Sequence, residues 1–550
     1  NVAIGYQALK VQDAGADAYN IGIGSGAGKT ISTGTANTII GGLAGDALTT
    51  GTSNVAVGYN ALTTEDAHGF NVAVGFEALK DLNAGQDGYH TAVGYKAGEN
   101  MTTAFANTVI GGLAGDALTT GNNNVAVGVL SLSAETQGQK NTAVGYGTLE
   151  AQNNTSSTDA YNTAVGFSAG NDITTGTYNT IMGGLAGDAL TTGEQNVAIG
   201  AVSLSSEQAG DHSVGVGYGA LSTQNGNSGS VYNVALGYFA GASITTGIRN
   251  VLIGALAGDA FTDADYNVGI GLSALTADTK GVGSVAVGYK ALALQNYTSV
   301  GVTQNTAIGY LSGDAVTTGN RNTFCGYQSG SSVSTTFGNA FYGNDSGVNS
   351  TGSLGTLIGD NAGQNATGNS NTLIGQQAGY LITSGGNNTL IGRYDGNSSD
   401  LGDIRTASNY IVLSDGDGNT RVWVTGGSNQ NQFFATGIYL WTTSASANVV
   451  VTSSAGHIAR STSALKYKQD IRDLEDIDID KFRPIRYKSK SDIDDQTKDH
   501  FGFIADEVHD AGITELVSYG DDNEVEGFQY ERLTAVLVKT LQEQKKTIAS

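Results

Sequence analysis

The chain has 550 residues, of which 81 are Gly, one is Pro, one is Cys and 14% are charged, with a net charge of −24; ordinary globular chains hold roughly 7% Gly and 25% charged residues. This excludes a collagen helix, which needs Gly at every third position and abundant Pro, and the 39% apolar content excludes a disordered chain. The acidic balance argues against nucleic-acid binding, which shows a basic stripe, and no apolar run approaches the ~18 residues of a membrane span.

From Asn1 onward a short unit of the form Asn/Ser-Val/Thr-x-Ile/Val-Gly recurs: Asn1-Val-Ala-Ile-Gly5, Asn54-Val-Ala-Val-Gly58, and so on to Asn388-Thr-Leu-Ile-Gly392. It starts 23 times, mostly at the spacing that separates Asn37 from Asn54 and Asn54 from Asn71. Longer gaps recur every fourth unit, so that the starts at 1, 71, 141, 213, 284 and 355 open successive super-repeats. Apolar-small-apolar alternation predicts a strand with one buried face, Gly marks the corners, and Thr-Thr-Gly-Asn stretches are turns. Each unit is expected to be one coil of a β-solenoid with a thin interior of Val, Ile and Ala. At the ~4.8 Å strand spacing the stack would be about 110 Å long. The unit resembles the head repeats of YadA-type trimeric autotransporter adhesins, which implies a left-handed β-roll in which three chains share one core. Those repeats are shorter than the unit here, which implies larger corner loops, and a single-chain solenoid stays open as the alternative.

Residues 1–395 are therefore read as the repetitive shaft and 396–462 as a β-rich neck, with strands expected at 409–413, 420–424 and 448–452. From 463 to 550 the composition changes. Residues 464–550 hold 4 of the 81 Gly, the lone Pro484, 20 of the 50 acidic and 13 of the 26 basic residues, the makeup of a compact α+β domain. A helix from Tyr530 with apolar residues at 533, 537, 541 and 548 has the spacing that opens a coiled coil.

Ser463-Ala-Leu-Lys-Tyr-Lys468-Gln-Asp-Ile471, Phe482-Arg-Pro-Ile-Arg-Tyr487, Gly502-Phe-Ile-Ala-Asp-Glu-Val508 and the Tyr530 helix follow in order. Together they resemble the C-terminal intramolecular chaperone of phage tail spikes and fibres, the peptidase S74 family. The resemblance implies a single self-cleavage by a Ser-Lys dyad after trimerisation, with Ser463 as nucleophile and Lys468 as base; Ser461 and Lys466 have the same spacing and are the fallback. A Ser hydroxyl needs a neighbouring base, and a Lys can serve only when desolvation keeps it neutral. From spacing alone the pair would be commonplace.

Other signals are weaker. Gly24-Ser-Gly-Ala-Gly28-Lys-Thr30 lacks the first Gly of a P-loop, Ile23 standing in its place. Asp415-Gly-Asp417-Gly-Asn419 starts like an EF-hand loop, but position twelve is Gly426, so it reads as a hairpin turn. Asp46, Asp116, Asp188 and Asp259 recur in Gly-Asp-Ala corners as turn caps, with a cation on a threefold axis the alternative. No metal site or cofactor is expected.

The chain starts at Asn1 without Met or a basic leader, which reads as a processed or trimmed start. The whole is expected to be a structural phage tail-fibre protein of the virion, made in the host cytoplasm. Its expected partners are two further copies of itself in a homotrimer, a host cell-surface receptor read as a glycan, and other tail proteins, with no nucleic acid and no membrane insertion. A bacterial surface adhesin and a polysaccharide depolymerase are the rival readings.

Overall fold

The computed structural model describes all residues except 16, 227–228, 400, 426–432, 436–448, 452–457, 461–468, 491–495 and 520–522. The chain divides into two compact units, Asn1–Leu440 and Trp441–Ser550.

In the first unit each of the 23 repeat starts is followed at once by a three-residue strand, from Val2–Ile4 and Ile21–Ile23 to Thr389–Ile391. Successive strands pair in parallel with repeat-equivalent residues in register, as in Val55 with Val72, Ala56 with Ala73 and Val57 with Val74. The result is a mostly-β solenoid of one coil per repeat. It continues into Ile411–Ser414, parallel to the last coil, then turns back through Thr420–Val424 and Phe433–Ala435 in antiparallel pairing. The expected Asp415 hairpin joins the first two of these: its carboxylate accepts from the Asp417 and Asn419 N–H groups at 3.0 and 2.9 Å. The segment Gly24–Thr30 is a solenoid corner.

The interior differs from the expected Val, Ile and Ala filling. Only the central residue of each strand points inward, as Ala56 and Ala73 do, while the flanking Val and Ile lie on the outer face. The inner space is completed by the corner opposite, where Ala61 and Leu62 are fully buried. Volume is shared between these two places. In several coils a strand centre of Ala faces a corner Leu (Ala56 with Leu62, Ala126 with Leu132), whereas Ile39, Val109 and Ile181 face Gly45, Gly115 and Gly187. A Cβ on Gly45 would sit 3.2 Å from Ile39 Cδ1. Where Ala and Gly coincide, as at Ala164 and Gly170, Leu149 and Ile181 of the adjacent coils fill the space, so the core is filled within one chain by successive coils together.

The repeat's initial Asn forms a second interior column. Asn37 N–H donates to Asn20 Oδ1 (2.8 Å), Asn54 N–H to Asn37 Oδ1 (2.9 Å) and Asn71 N–H to Asn54 Oδ1 (3.0 Å), while Asn37 Nδ2 donates to Gly51 O at 2.9 Å. These amides satisfy backbone groups at the corner that the strand ladder cannot reach. The corner glycine ending each strand lets coils stack: Gly58 has φ 142°, and a Cβ there would fall 2.2 Å from Gly75 O.

The four-coil super-repeat has a physical cause. Glu65, Glu135, Glu207 and Asp278 are fully buried, each in the coil before one of the long coils. Glu135 accepts from the N–H groups of Thr136, Gln137 and Gly138 in its own turn, and from Asn154 N–H, Asn154 Nδ2 and Gln152 Nε2 of the longer coil above, at 2.7–3.0 Å. Glu207 does the same with Gln224 and Gly226, and Asp278 with Gln295 and Tyr297. Extra residues in a corner add N–H donors that a uniform coil would not present, and a buried carboxylate collects them. In the following super-repeat Ser350 holds this place and the next coil, 355–370, is short.

The second unit pairs Val449–Val451 with Ile458–Arg460, Ile485–Tyr487 with His500–Gly502, and Val517–Tyr519 with Val525–Phe528, all antiparallel. Helix α1 is Ala505–Asp510 and α2 is Tyr530–Ala549.

Candidate functional site in the C-terminal unit

Ser463 and Lys468, and the fallback pair Ser461 and Lys466, lie outside the described residues. What surrounds them in sequence is a small core that joins the three downstream motif blocks. Phe482 lies at the start of the first, Phe503 and Val508 in the second, and Tyr530 opens α2. Phe482, Phe503, Phe528 and Tyr530 form a chain of ring contacts, with Phe482 and Phe503 centroids 5.8 Å apart and Phe528 and Tyr530 4.8 Å apart. Phe503 N–H donates to the Tyr530 hydroxyl at 3.1 Å, so the second block is tied to the helix by a directed bond as well as by packing. Leu533 and Val536 of α2 close the core against Val508, Ile513, Leu516 and Val517.

Polar residues of the same blocks fix their spacing. The Arg483 guanidinium forks onto Glu507, its Nε donating to Oε2 at 3.0 Å and its second arm to Oε1, and the cation holds the Glu507 carboxyl below its ordinary range. Arg532 donates to Glu515 O at 2.9 Å, and His509 bonds the Tyr519 hydroxyl at 2.8 Å. The sequence reading quoted Phe482–Tyr487 and Gly502–Val508 as blocks without seeing that Arg483 and Glu507 are partners. Opposite charges in two blocks of fixed order were the available signal.

Residues 463–518 match the family model Peptidase_S74, chaperone of endosialidase. The C-terminal segment is similar to this family over these residues, and together with the β-solenoid that is consistent with a tail fibre or spike carrying a trimerisation chaperone. No curated protein matches the chain.

Two exposed apolar features accompany this chaperone segment. Beyond Val536, α2 leaves its core, and Leu537, Leu541 and Ile548 are 43%, 63% and 87% exposed. The sequence reading put Leu533 in the same stripe, but Leu533 is buried in the unit's core. The exposed set falls instead at 534, 537, 541, 544 and 548, a heptad seam with Thr534 and Gln544 as its polar members. In the first unit, the outer strand face presents Val or Ile from most coils, beside Thr at many first strand positions, flanked by columns of aromatics that stack coil on coil. Tyr59, Phe76 and Tyr95 form one such stack, with centroids 5.6 and 5.5 Å apart; Phe70 and Tyr89 belong to the other, at 5.3 Å. Among the described residues no helix is long and apolar enough to cross a membrane.

Proposed function

We propose that this chain is a structural part of a phage tail fibre or related virion appendage, a homotrimer whose C-terminal unit aligns three chains and is then cut off by the Ser463–Lys468 pair, leaving a shaft that attaches to a host-surface glycan. The observation that carries the reading is the chaperone segment at 463–518 joined to a repetitive solenoid whose outer strand face carries, at the third position of its strands, a continuous column of mostly Val and Ile. A face about six residues wide and 23 coils tall covers roughly 2,000 Å² per chain, the size of obligate subunit interfaces. Such a face exposed in water would be an aggregation hazard, and two further copies of the same chain cover it. The bare seam on α2 supports the same reading, since three parallel helices pair their 537, 541 and 548 positions.

Mass spectrometry of the purified full-length protein tests it. The expected result, without added protease, is a large fragment carrying the shaft and neck and a small one carrying the chaperone, divided beside Ser463. Ser463→Ala should stay intact yet still assemble, and Lys468→Met should stay intact as well. If Ser463→Ala is cut normally and Ser461→Ala is not, the pair is Ser461 and Lys466. Light scattering of the released shaft giving a monomer mass would overturn the trimer.

A further inference from the structure

The column next to the corner glycine is not uniform along the shaft. In the first two coils of most super-repeats it holds two aromatics: Phe76 and Tyr95, Tyr146 and Phe167, Tyr218 and Tyr238. In the third coil of the first four super-repeats it holds the smallest residues, Gly42, Gly112, Gly184 and Ala255, while the fifth has Tyr327 there, stacked on Tyr310. Nothing inside the chain asks for glycine at Gly112 or Gly184. Neither has a left-handed φ, and a Cβ at either would meet nothing within 4 Å. Backbone strain and internal packing, the two ordinary reasons for a glycine, are both absent. The space is kept clear for something outside the chain, and a body that matches a period of four coils is another copy of the same chain.

We infer that this column is a register code between chains: its large-large-small rhythm permits the aligned assembly and shifts of four coils, and rejects slips of one, two or three. The inference rests on the trimer reading above. Translational symmetry requires no particular pairing of rows. Whatever rows meet in the aligned assembly, a four-coil shift, about 19 Å at the parallel strand spacing, brings equivalent rows together again over the blocks that start at 71, 141 and 213. A shift of one coil replaces the pairing of the aligned assembly at rows of different size, so that rings and glycine rows no longer meet the rows they match, with loss of packing along these blocks. A one-coil slip is therefore costly even though the strands of successive coils are near-identical. The remaining ambiguity of four coils is removed at the C-terminal end of the solenoid. There the column reads Asn344, Asp360, Gln376 and Arg393, which no earlier block repeats, and Asn344 Nδ2 donates to Asp360 Oδ1 at 3.2 Å. A four-coil shift would set these polar residues against aromatic rows.

Co-expression of the full chain with differently tagged deletion chains tests the code, each deletion running from one repeat start to the next so that the coils stay whole. Removal of residues 71–140 takes out one complete four-coil block, and removal of 107–123 takes out a single coil. The four-coil deletion should co-purify with the full chain in mixed trimers, and the single-coil deletion should be lost from them while still forming trimers with itself. Equal mixing of both deletions would overturn the code and leave the trimer standing, whereas monomeric protein in every sample would overturn the trimer reading as well. Gly112→Phe supplies an independent arm. With no internal clash it should leave the coil folded by circular dichroism but reduce trimer recovery, and full recovery of trimer would count against a matched partner row.

Discussion

His90 stands where the ladder has Asn in most coils, and it works because neutral imidazole offers one donor and one acceptor at similar reach. Its Nε2 bonds Ala104 O at 2.9 Å, and its Nδ1 accepts from Asn107 N–H at 3.2 Å. Burial lowers its pKa below the ordinary 6.5, the backbone partners only partly opposing this. Protonation would place a second N–H against the Asn107 N–H. The stability contributed by neutral His90 is therefore complete above about pH 6.5 and is lost as the pH falls through its lowered folded-state value. Thermal melts should show a steeper fall between about pH 7.5 and pH 5 in the native protein than in His90→Asn, which restores the pH-independent amide; parallel curves would count against this role. The recurring corner aspartates behave as structural groups. Thr63 and Thr276 donate to Asp46 and Asp259, and backbone N–H groups of its own turn partly offset the burial that raises the Asp116 carboxyl. Where the next coil offers Ser133, Ser205 or Ser331 in place of Thr, Asp116, Asp188 and Asp314 keep one oxygen without a partner among the described residues.

In coils such as those of Ile39 with Gly45 and Ala56 with Leu62, strand centre and opposite corner trade volume. Ala56→Ile should overpack against Leu62 at a cost of about 1–3 kcal/mol, and Leu62→Gly alone should leave a cavity costing about 2–5 kcal/mol. The double variant recreates the Ile39 and Gly45 combination of the neighbouring coil. It also places glycine where Leu62 now has φ 54°. Thermal or denaturant unfolding should therefore show the double variant to be more stable than the sum of the two single changes allows. The long coils depend on the acids beneath them in the same local way. Glu135→Ala strands several buried donors and should cost about 3 kcal/mol or more, with the effect confined to that corner. Limited proteolysis should then cut within residues 153–159 faster than in the native protein, while the equivalent corner under Glu207 stays resistant.

At the scale of the whole molecule, assembly and persistence separate in the proposed trimer. Once three shafts are in register, many coils must open together for one chain to leave, so the released shaft should last by kinetic rather than equilibrium stability. Starting that assembly requires three long faces to align, a non-local search that a compact C-terminal nucleus shortens. A fragment of residues 1–462 expressed alone should accordingly be largely misassembled or insoluble, whereas the same fragment released from the full chain should stay trimeric in light scattering. Well-formed trimers from the fragment alone would remove the chaperone from the account.

The sequence by itself determined the coil count and the place of every shaft strand, because a three-residue strand closed by a glycine corner is a local object repeated 23 times. It determined the chaperone motif blocks for the same reason, since each is contiguous along the chain. The tertiary structure decided which side of each strand is inside. Alternation allows either face to be buried, and only the corner Leu or Gly across the coil selects the central residue over its Val and Ile neighbours. It also decided what the initial Asn and the acids at 65, 135, 207 and 278 do, because their partners lie some 14 to 19 residues away in the chain yet directly across or above in the stack. Contact between coils joins residues by the length of a turn of the solenoid, and that length is fixed only when the chain is wound.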